Sequence, residues 1–340
     1  MNAHLPPDHP PVKPRKIGVL LLNLGTPDGT DYWSVRRYLK EFLSDPRVIE
    51  TPKWLWWPIL NFGILSFRPQ KTGANYAKIW DKRTNESPLR VITRGQAEKL
   101  QQAMAADGVA VEYGMRYGNP STESAIKKLH EQGCDKILLF PLYPQYSATT
   151  TATANDQAFR ALANIRWQPA VRTVPAYFED DIYVETLANS IREGVEKLDF
   201  EPDLVITSYH GMPKTYLDKG DPYHCQCHKT TRLVREKLGW PKEKIMLTFQ
   251  SRFGPTEWLR PYTDETLKEL PGKGIKKVAI LAPAFSADCI ETLEEIAIGG
   301  EEEFMHAGGE RYAYIPCLND TPDGMAMIES VVRRELSGWL

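Results

Sequence analysis

Cysteine is scarce. The five present, Cys134, Cys225, Cys227, Cys289 and Cys317, are too few and too irregular for a disulfide framework. No C-x2-C pair occurs, so a closed zinc site has no support. With no signal peptide at the start, these residues read as reduced cytosolic thiols. No window approaches the roughly 20 apolar residues needed to span a bilayer. An excess of one charge is also missing. Lys and Arg number 42 against 44 Asp and Glu, which excludes the basic footprint of a general nucleic-acid binder. No G-x-G-x-x-G or G-x-x-x-x-G-K-[ST] follows a strand-like run, so a nucleotide cofactor has no support. The first 15 residues lack an apolar period and carry five prolines. They are expected to be a disordered tail, in which Lys13 and Arg15, with the adjoining Lys16, can touch acidic lipid.

What is present alternates. Strand-like runs fall at 16–25, 109–117, 136–142, 171–174, 203–210, 244–249, 276–281 and 312–315. Helical period is expected at 32–43, 89–106, 122–132, from 149, and at 180–198, 223–238, 263–270, 288–297 and 323–339. Such alternation implies an α/β protein with parallel sheets flanked by helices. The length suits two lobes: a first over 16–178, a second over 179–320, and a helix at 321–340 packing back on the first. Three landmarks recur in order. V-L-L-L-N-L-G-T-P at 19–27 aligns with V-I-T-S-Y-H-G-M-P at 205–213, M-R-Y-G-N-P at 115–120 with S-R-F-G-P at 251–255, and K-I-L-L-F-P at 136–141 with K-V-A-I-L-A-P at 277–283. The alignment sets Leu24 opposite His210 and Arg116 opposite Arg252.

Leu24 lies 92 positions before Arg116, and His210 lies 42 before Arg252. The first lobe therefore carries an insertion, placed at about 50–72, that includes the apolar segment Trp54–Phe67. An insertion leaving the carboxyl end of a strand overhangs the cleft. Flanked by Lys53, Arg68 and Lys71, it reads as an apolar lip or membrane contact rather than buried packing.

His210 ends an apolar strand and precedes Gly211 and Pro213, at the strand end where ligands bind in open α/β sheets. A lone histidine is more often a core residue; the duplication and the lip favour a cleft. Asp288 and Glu291 follow another strand end in the same lobe and, three apart, can face one way on a first helical turn. They also fit an N-cap and its capping-box partner. Imidazole facing carboxylates suits a divalent transition ion or proton transfer. Arg116 and Arg252 fit either a carboxylate clamp or lobe-closing ion pairs. Cys225-Gln-Cys227-His228, with His224, has metal-binding residue types but the wrong spacing, and reads as a solvated helix start.

The residues resemble the ferrochelatase family, which inserts ferrous iron into protoporphyrin. Matching stretches are L-L-N-L-G-T-P at 21–27, Y-L-K-E-F-L-S-D at 38–45, L-W-W-P at 55–58, S-P at 87–88, R-Y-G at 116–118 and Y-P-Q-Y-S at 143–147. Further on are S-Y-H-G-M-P at 208–213, K-G-D-P-Y at 219–223, Q-S-R-F-G-P-T-E-W-L at 250–259 and F-S-A-D-C-I-E-T-L at 285–293. The resemblance implies two Rossmann-like lobes gripping protoporphyrin IX. It implies His210 and Glu291 as metal-handling residues with Asp288 beside them, and Leu24, Tyr76, Ser87, Arg116, Tyr117, Tyr146, Trp258 and Phe285 against the porphyrin. Fe2+ is then a substrate. No tightly bound cofactor is expected, and a [2Fe–2S] cluster is not expected, because the chain ends at Leu340 without the cysteine-rich extension of some relatives. Cys289 replaces a His found in some members, and Leu24 a Tyr frequent in those acting on coproporphyrin. The resemblance further implies a cytoplasmic protein held peripherally at the inner face of the membrane through Trp54–Phe67, with the preceding enzyme of the heme pathway as a candidate partner. His210 is expected to take a pyrrole proton, with Glu291 and Asp288 attracting iron or passing protons outward. His210 as the iron ligand stands beside that assignment. The rival functions are a non-catalytic carrier of a flat metabolite and a chelatase for another tetrapyrrole or metal.

Overall fold

The computed structural model describes residues 6–9 and 15–340. The tail expected at 1–15, with Lys13, lies largely outside the described residues. Strands β1 (Lys16–Thr26), β2 (Ala110–Gly118), β3 (Cys134–Pro141) and β4 (Ala170–Thr173) form one parallel sheet in the order β2-β1-β3-β4. Strands β5 (Leu204–His210), β6 (Ile245–Gln250), β7 (Lys277–Leu281) and β8 (Arg311–Tyr314) form a second, in the order β6-β5-β7-β8. In each sheet the first strand in sequence lies between the second and third. The middle strands are apolar because helices cover both faces; Val19, Leu20, Leu21 and Leu22 are fully buried, as are Val205 and Ile206.

Register corrects one part of the internal repeat. Asn23 and Gly25 pair with Met115 and Tyr117, so Leu24 falls opposite Arg116, whereas His210 pairs with Gln250. Met115 N–H donates to Pro120 O at 2.7 Å, and Phe249 N–H donates to Pro261 O at 2.8 Å. The counterpart of Arg116 is therefore Gln250, not Arg252. The R-F-G-P letters lie in the loop after β6, which is longer than its partner after β2. Gly25 has a φ of 107°, and a Cβ there would stand 1.8 Å from Tyr117 O, so no other residue fits.

One core cluster spans both sheets. Val19, Leu21, Leu138 and Phe140 of the first join Val205, Ala279 and Leu281 of the second through helices Pro88–Ala103, Asp181–Glu196 and Pro322–Glu335. In the last of these, Arg333 pairs with Asp107 at 2.9 Å, and Arg172 of β4 donates to Glu335 O at 2.8 Å.

The Trp-rich segment is helical: Lys53–Pro58, a wider π turn at Ile59–Ile64, then Leu65–Ile79. Trp54, Phe62 and Phe67 are 79%, 71% and 79% exposed. Trp56, Leu60 and Leu65 turn inward onto helix Tyr32–Leu43, and Trp56 Nε1–H donates to Leu43 O at 2.7 Å. Among the described residues no helix is long and apolar enough to cross a membrane.

Candidate active site

Strand β5 ends at His210 because the chain must pass under Trp258. A Cβ on Gly211 would lie 2.6 Å from Gln250 O and 3.1 Å from the Trp258 ring, so the turn requires glycine. The half-buried His210 donates from Nδ1–H to Gly211 O at 2.7 Å. A neutral ring so held carries its lone pair on Nε2. The Phe285 ring stands 6.4 Å away, centroid to centroid.

Side chains alternate along a strand, so Ser208 and His210 share one side of β5. Ser208 Oγ donates to Gln250 Oε1 at 2.8 Å, and Gln250 Nε2 donates to Glu291 O at 2.7 Å. Ser208 also lies 2.9 Å from Thr263 Oγ1, which bonds Thr248. This buried polar chain ties the Glu291 backbone to the side of the sheet that ends in His210. Glu291 opens a π-helical run, Glu291–Gly300, and is half-buried. The phenols of Tyr38, Tyr76 and Tyr143 are each raised first by burial and further by the Glu291 charge, and all three stay protonated. Burial and the same charge push up the Cys289 thiol. Four positions on, Glu295 is exposed at the surface, where its carboxylate accepts from Ser251 Oγ. Desolvation and the charges of Glu291 and Glu294 push it up to about 8, against a hydrogen bond from Ser251.

Asp288 faces away from Glu291. It is buried, and its carboxylate accepts from Tyr314 at 2.6 Å, Asn319 Nδ2 at 2.7 Å and Thr292 Oγ1 at 3.0 Å. None of these is the backbone N–H of a helix start, so the N-cap alternative does not describe it either.

The remaining residues divide into two groups. Leu24, Tyr146, Trp258 and Phe285 are half-buried. Leu24 and Phe285 meet in one apolar cluster with Leu89, Ala287 and Cys289, which joins the two lobes. Trp258 Nε1 and Tyr143 Oη are buried polar atoms without a protein partner. Tyr76, Ser87, Arg116 and Tyr117 are buried. Ser87 caps helix Pro88–Ala103, accepting from Arg90 N. Arg116 pairs with Asp45 of its own lobe and donates to Thr153 at 2.6 Å, and Tyr117 donates to Asp45 at 2.8 Å. Burial opposes the ionised form of Asp45, but donors from Thr153, the Arg47 backbone, Tyr117 and Arg116 hold its pKa low. Arg252 is exposed and pairs with Glu265 at 3.1 Å. Sequence reasoning missed Ser208, Gln250, Tyr314 and Asn319. For the first two, the signal was a polar residue at an inward position of an otherwise apolar strand.

A family profile described as ferrochelatase matches residues 16–336. A protein of Allorhizobium ampelinum named ferrochelatase is 60% identical over 338 residues, 99% of this chain and 98% of its own. One of Mesorhizobium japonicum with the same name is 60% identical over 333 residues, covering 98% and 94%. Among solved structures, SirB of Bacillus subtilis with Fe3+ superposes with a TM-score of 0.55 at 13% identity, covering 95% of this chain and 98% of that one. A sirohydrochlorin chelatase SirB from subspecies spizizenii, in complex with cobalt, gives 0.53 at 10%, covering 95% and 96%; both show the fold alone. With a family profile matching nearly the whole chain and relatives identical at most aligned positions, the chain belongs to the ferrochelatase family.

Proposed function

We propose that the chain inserts Fe2+ into protoporphyrin IX, releasing two protons and giving protoheme. The observation that carries the reading is the pair of ties on one flank of the cleft. His210 is locked through Nδ1 with Nε2 free, and Glu291 is held to the same sheet face by Gln250. Two N–H protons must leave the ring as the metal arrives. A lone pair on Nε2 takes the first. The Glu291 carboxylate attracts the dication, and the metal is substrate rather than a resident group. Asp288, its oxygens engaged by Tyr314, Asn319 and Thr292, positions the start of the π-helical run and is not placed at the metal. A planar macrocycle hides its nitrogens, so apolar walls at Leu24 and Phe285 would hold it bent, with binding energy offsetting the strain. Trp54, Trp57, Phe62 and Phe67 would rest the lip on the inner membrane face, where the apolar substrate arrives from the preceding enzyme of the heme pathway.

The test is anaerobic addition of Fe2+ to protein with protoporphyrin IX, following the Soret band. Wild-type protein should shift it within minutes and prefer Fe2+ to Co2+ or Ni2+ in product formed; a porphyrin bound without turnover would make the chain a carrier. His210→Ala should abolish insertion while porphyrin binding, read by fluorescence quenching, stays within about twofold of wild type. Lost binding with residual insertion would reject the role given to His210.

A further inference from the structure

Helix Tyr223–Leu238 packs over the face of the second sheet opposite Gln250 and Glu291. Tyr209 and Phe249, odd-numbered neighbours of His210 and Gln250, point toward it. On its first turns His224 and His228 stand four residues apart, with ring centroids separated by 4.5 Å and planes at 54°. Both lie over Phe249, at 5.8 and 6.4 Å, so one aromatic platform seats the two rings. They line a surface hollow of about 770 Å³ together with Cys225, Lys242 and Met246.

Two histidines four residues apart on a helix face can bind one ion, and the centroid separation of 4.5 Å leaves room for it. With a metal–nitrogen bond of about 2.1 Å, each centroid would stand about 3.2 Å from the ion. A centroid separation of 4.5 Å then subtends about 90° at the metal. Two adjacent coordination positions of an octahedral or distorted tetrahedral ion have that angle. Burial lowers the pKa of both rings, and the neutral imidazole is the form that binds metal. Nearby cations are partly compensated: Lys229 pairs with Glu179, and Arg232 and Arg235 each lie 3.5 Å from Glu236. A thiolate cluster is not what this helix start builds. Cys225 is exposed and Cys227 is buried, so the two thiols leave the helix on different sides. Among the described residues no group of three His, Cys, Asp or Glu side chains is placed to hold an ion; the pair is an open, two-nitrogen site.

We propose that His224 and His228 form a second metal site, outside the cleft, which binds a borderline divalent ion such as Zn2+ or Ni2+ with water in its remaining positions. Imidazole donors favour those ions over Fe2+, so this site holds competitors of the ferrous ion and not the substrate metal. It is independent of the roles given to His210 and Glu291.

The experiment is a Zn2+ titration of the full chain by calorimetry, with a chromophoric chelator as a second readout. Wild-type protein should bind one ion that remains in Glu291→Gln. Binding of that ion should weaken on the order of 10- to 100-fold in His224→Ala and in His228→Ala, with Fe2+ insertion into porphyrin unchanged in both. His224→Gln with His228→Gln keeps the polar volume over Phe249 and should lose the ion while melting like wild type. An isotherm for that double variant matching wild type would overturn the proposal. So would loss of the only bound Zn2+ in Glu291→Gln.

Discussion

Gln250 shows how one amide can brace the two residues proposed to handle the proton and the metal. It is 5% exposed, accepts from Ser208 and donates to Glu291 O. It also lies beside His210 in the sheet. Gln250→Leu keeps most of the volume but leaves Glu291 O without that donor, at a cost of about 1–3 kcal/mol. The fold should tolerate the change; the aim of the Glu291 carboxylate should not. The expected outcome is a kcat on the order of tenfold lower with KM for porphyrin unchanged, because the amide lies behind the metal-handling residue and not against the ring. Equal kcat in a folded variant would show that the tie does not orient Glu291. This residue also marks where the sequence was hard to read. The repeat aligned letters and set Arg252 opposite Arg116; hydrogen-bond register sets Gln250 there. The place of His210 at a strand end was legible because a strand, a glycine and a proline bracket it. Asp288 and Glu291, three apart on an ordinary helix, would share a face. Here Asp288 precedes the π-helical run and is drawn inward by Tyr314 and Asn319, residues far away in sequence that no local pattern announces.

At the scale of elements, the lip is the part whose role depends most on which way individual side chains turn. Its apolar content was plain from the sequence, but its period was not, because the π turn at Ile59–Ile64 shifts the faces between the flanking helices. Trp56 turns inward while Trp54 and Phe62 turn out, with Trp57 packed edge-on to Phe62 at 5.7 Å. A substitution at Trp56 therefore perturbs the fold, and membrane contact must be tested at the outward rings. Fully burying an aromatic side chain in an apolar phase is worth about 1.5–3 kcal/mol. Trp54→Asp combined with Phe62→Asp should reduce cosedimentation with anionic-lipid vesicles by on the order of tenfold or more and leave the melting temperature near wild type. Undiminished vesicle binding would mean that the lip faces a protein or the substrate alone.

Across the whole molecule, the sequence divides the chain into two similar halves, and the structure gives the halves a shared core beside the cluster that each keeps to itself. Each sheet sends apolar side chains into a shared core filled by helices Pro88–Ala103, Asp181–Glu196 and Pro322–Glu335. Gln96 of the first-lobe helix donates to Ser286 O at 3.2 Å and Asn319 O at 3.0 Å, and Lys99 pairs with Asp320 at 2.6 Å. Those acceptors flank Asp288, so the link between the halves also supports the segment that leads to Glu291. A lobe cut free would expose its share of this core, a large fraction of the few kcal/mol by which domains are stable. The halves should therefore unfold together despite their repeated topology. Scanning calorimetry should show one transition with equal van't Hoff and calorimetric enthalpies. Gln96→Ala, which leaves the buried Ser286 carbonyl and the half-buried Asn319 carbonyl without that donor, should lower the midpoint without splitting the peak. Two resolved transitions would mean that each lobe is its own cooperative unit. The width between the lobes would then be set by a movable joint, while His210 and Glu291, both in the second lobe, would keep the arrangement that Gln250 gives them.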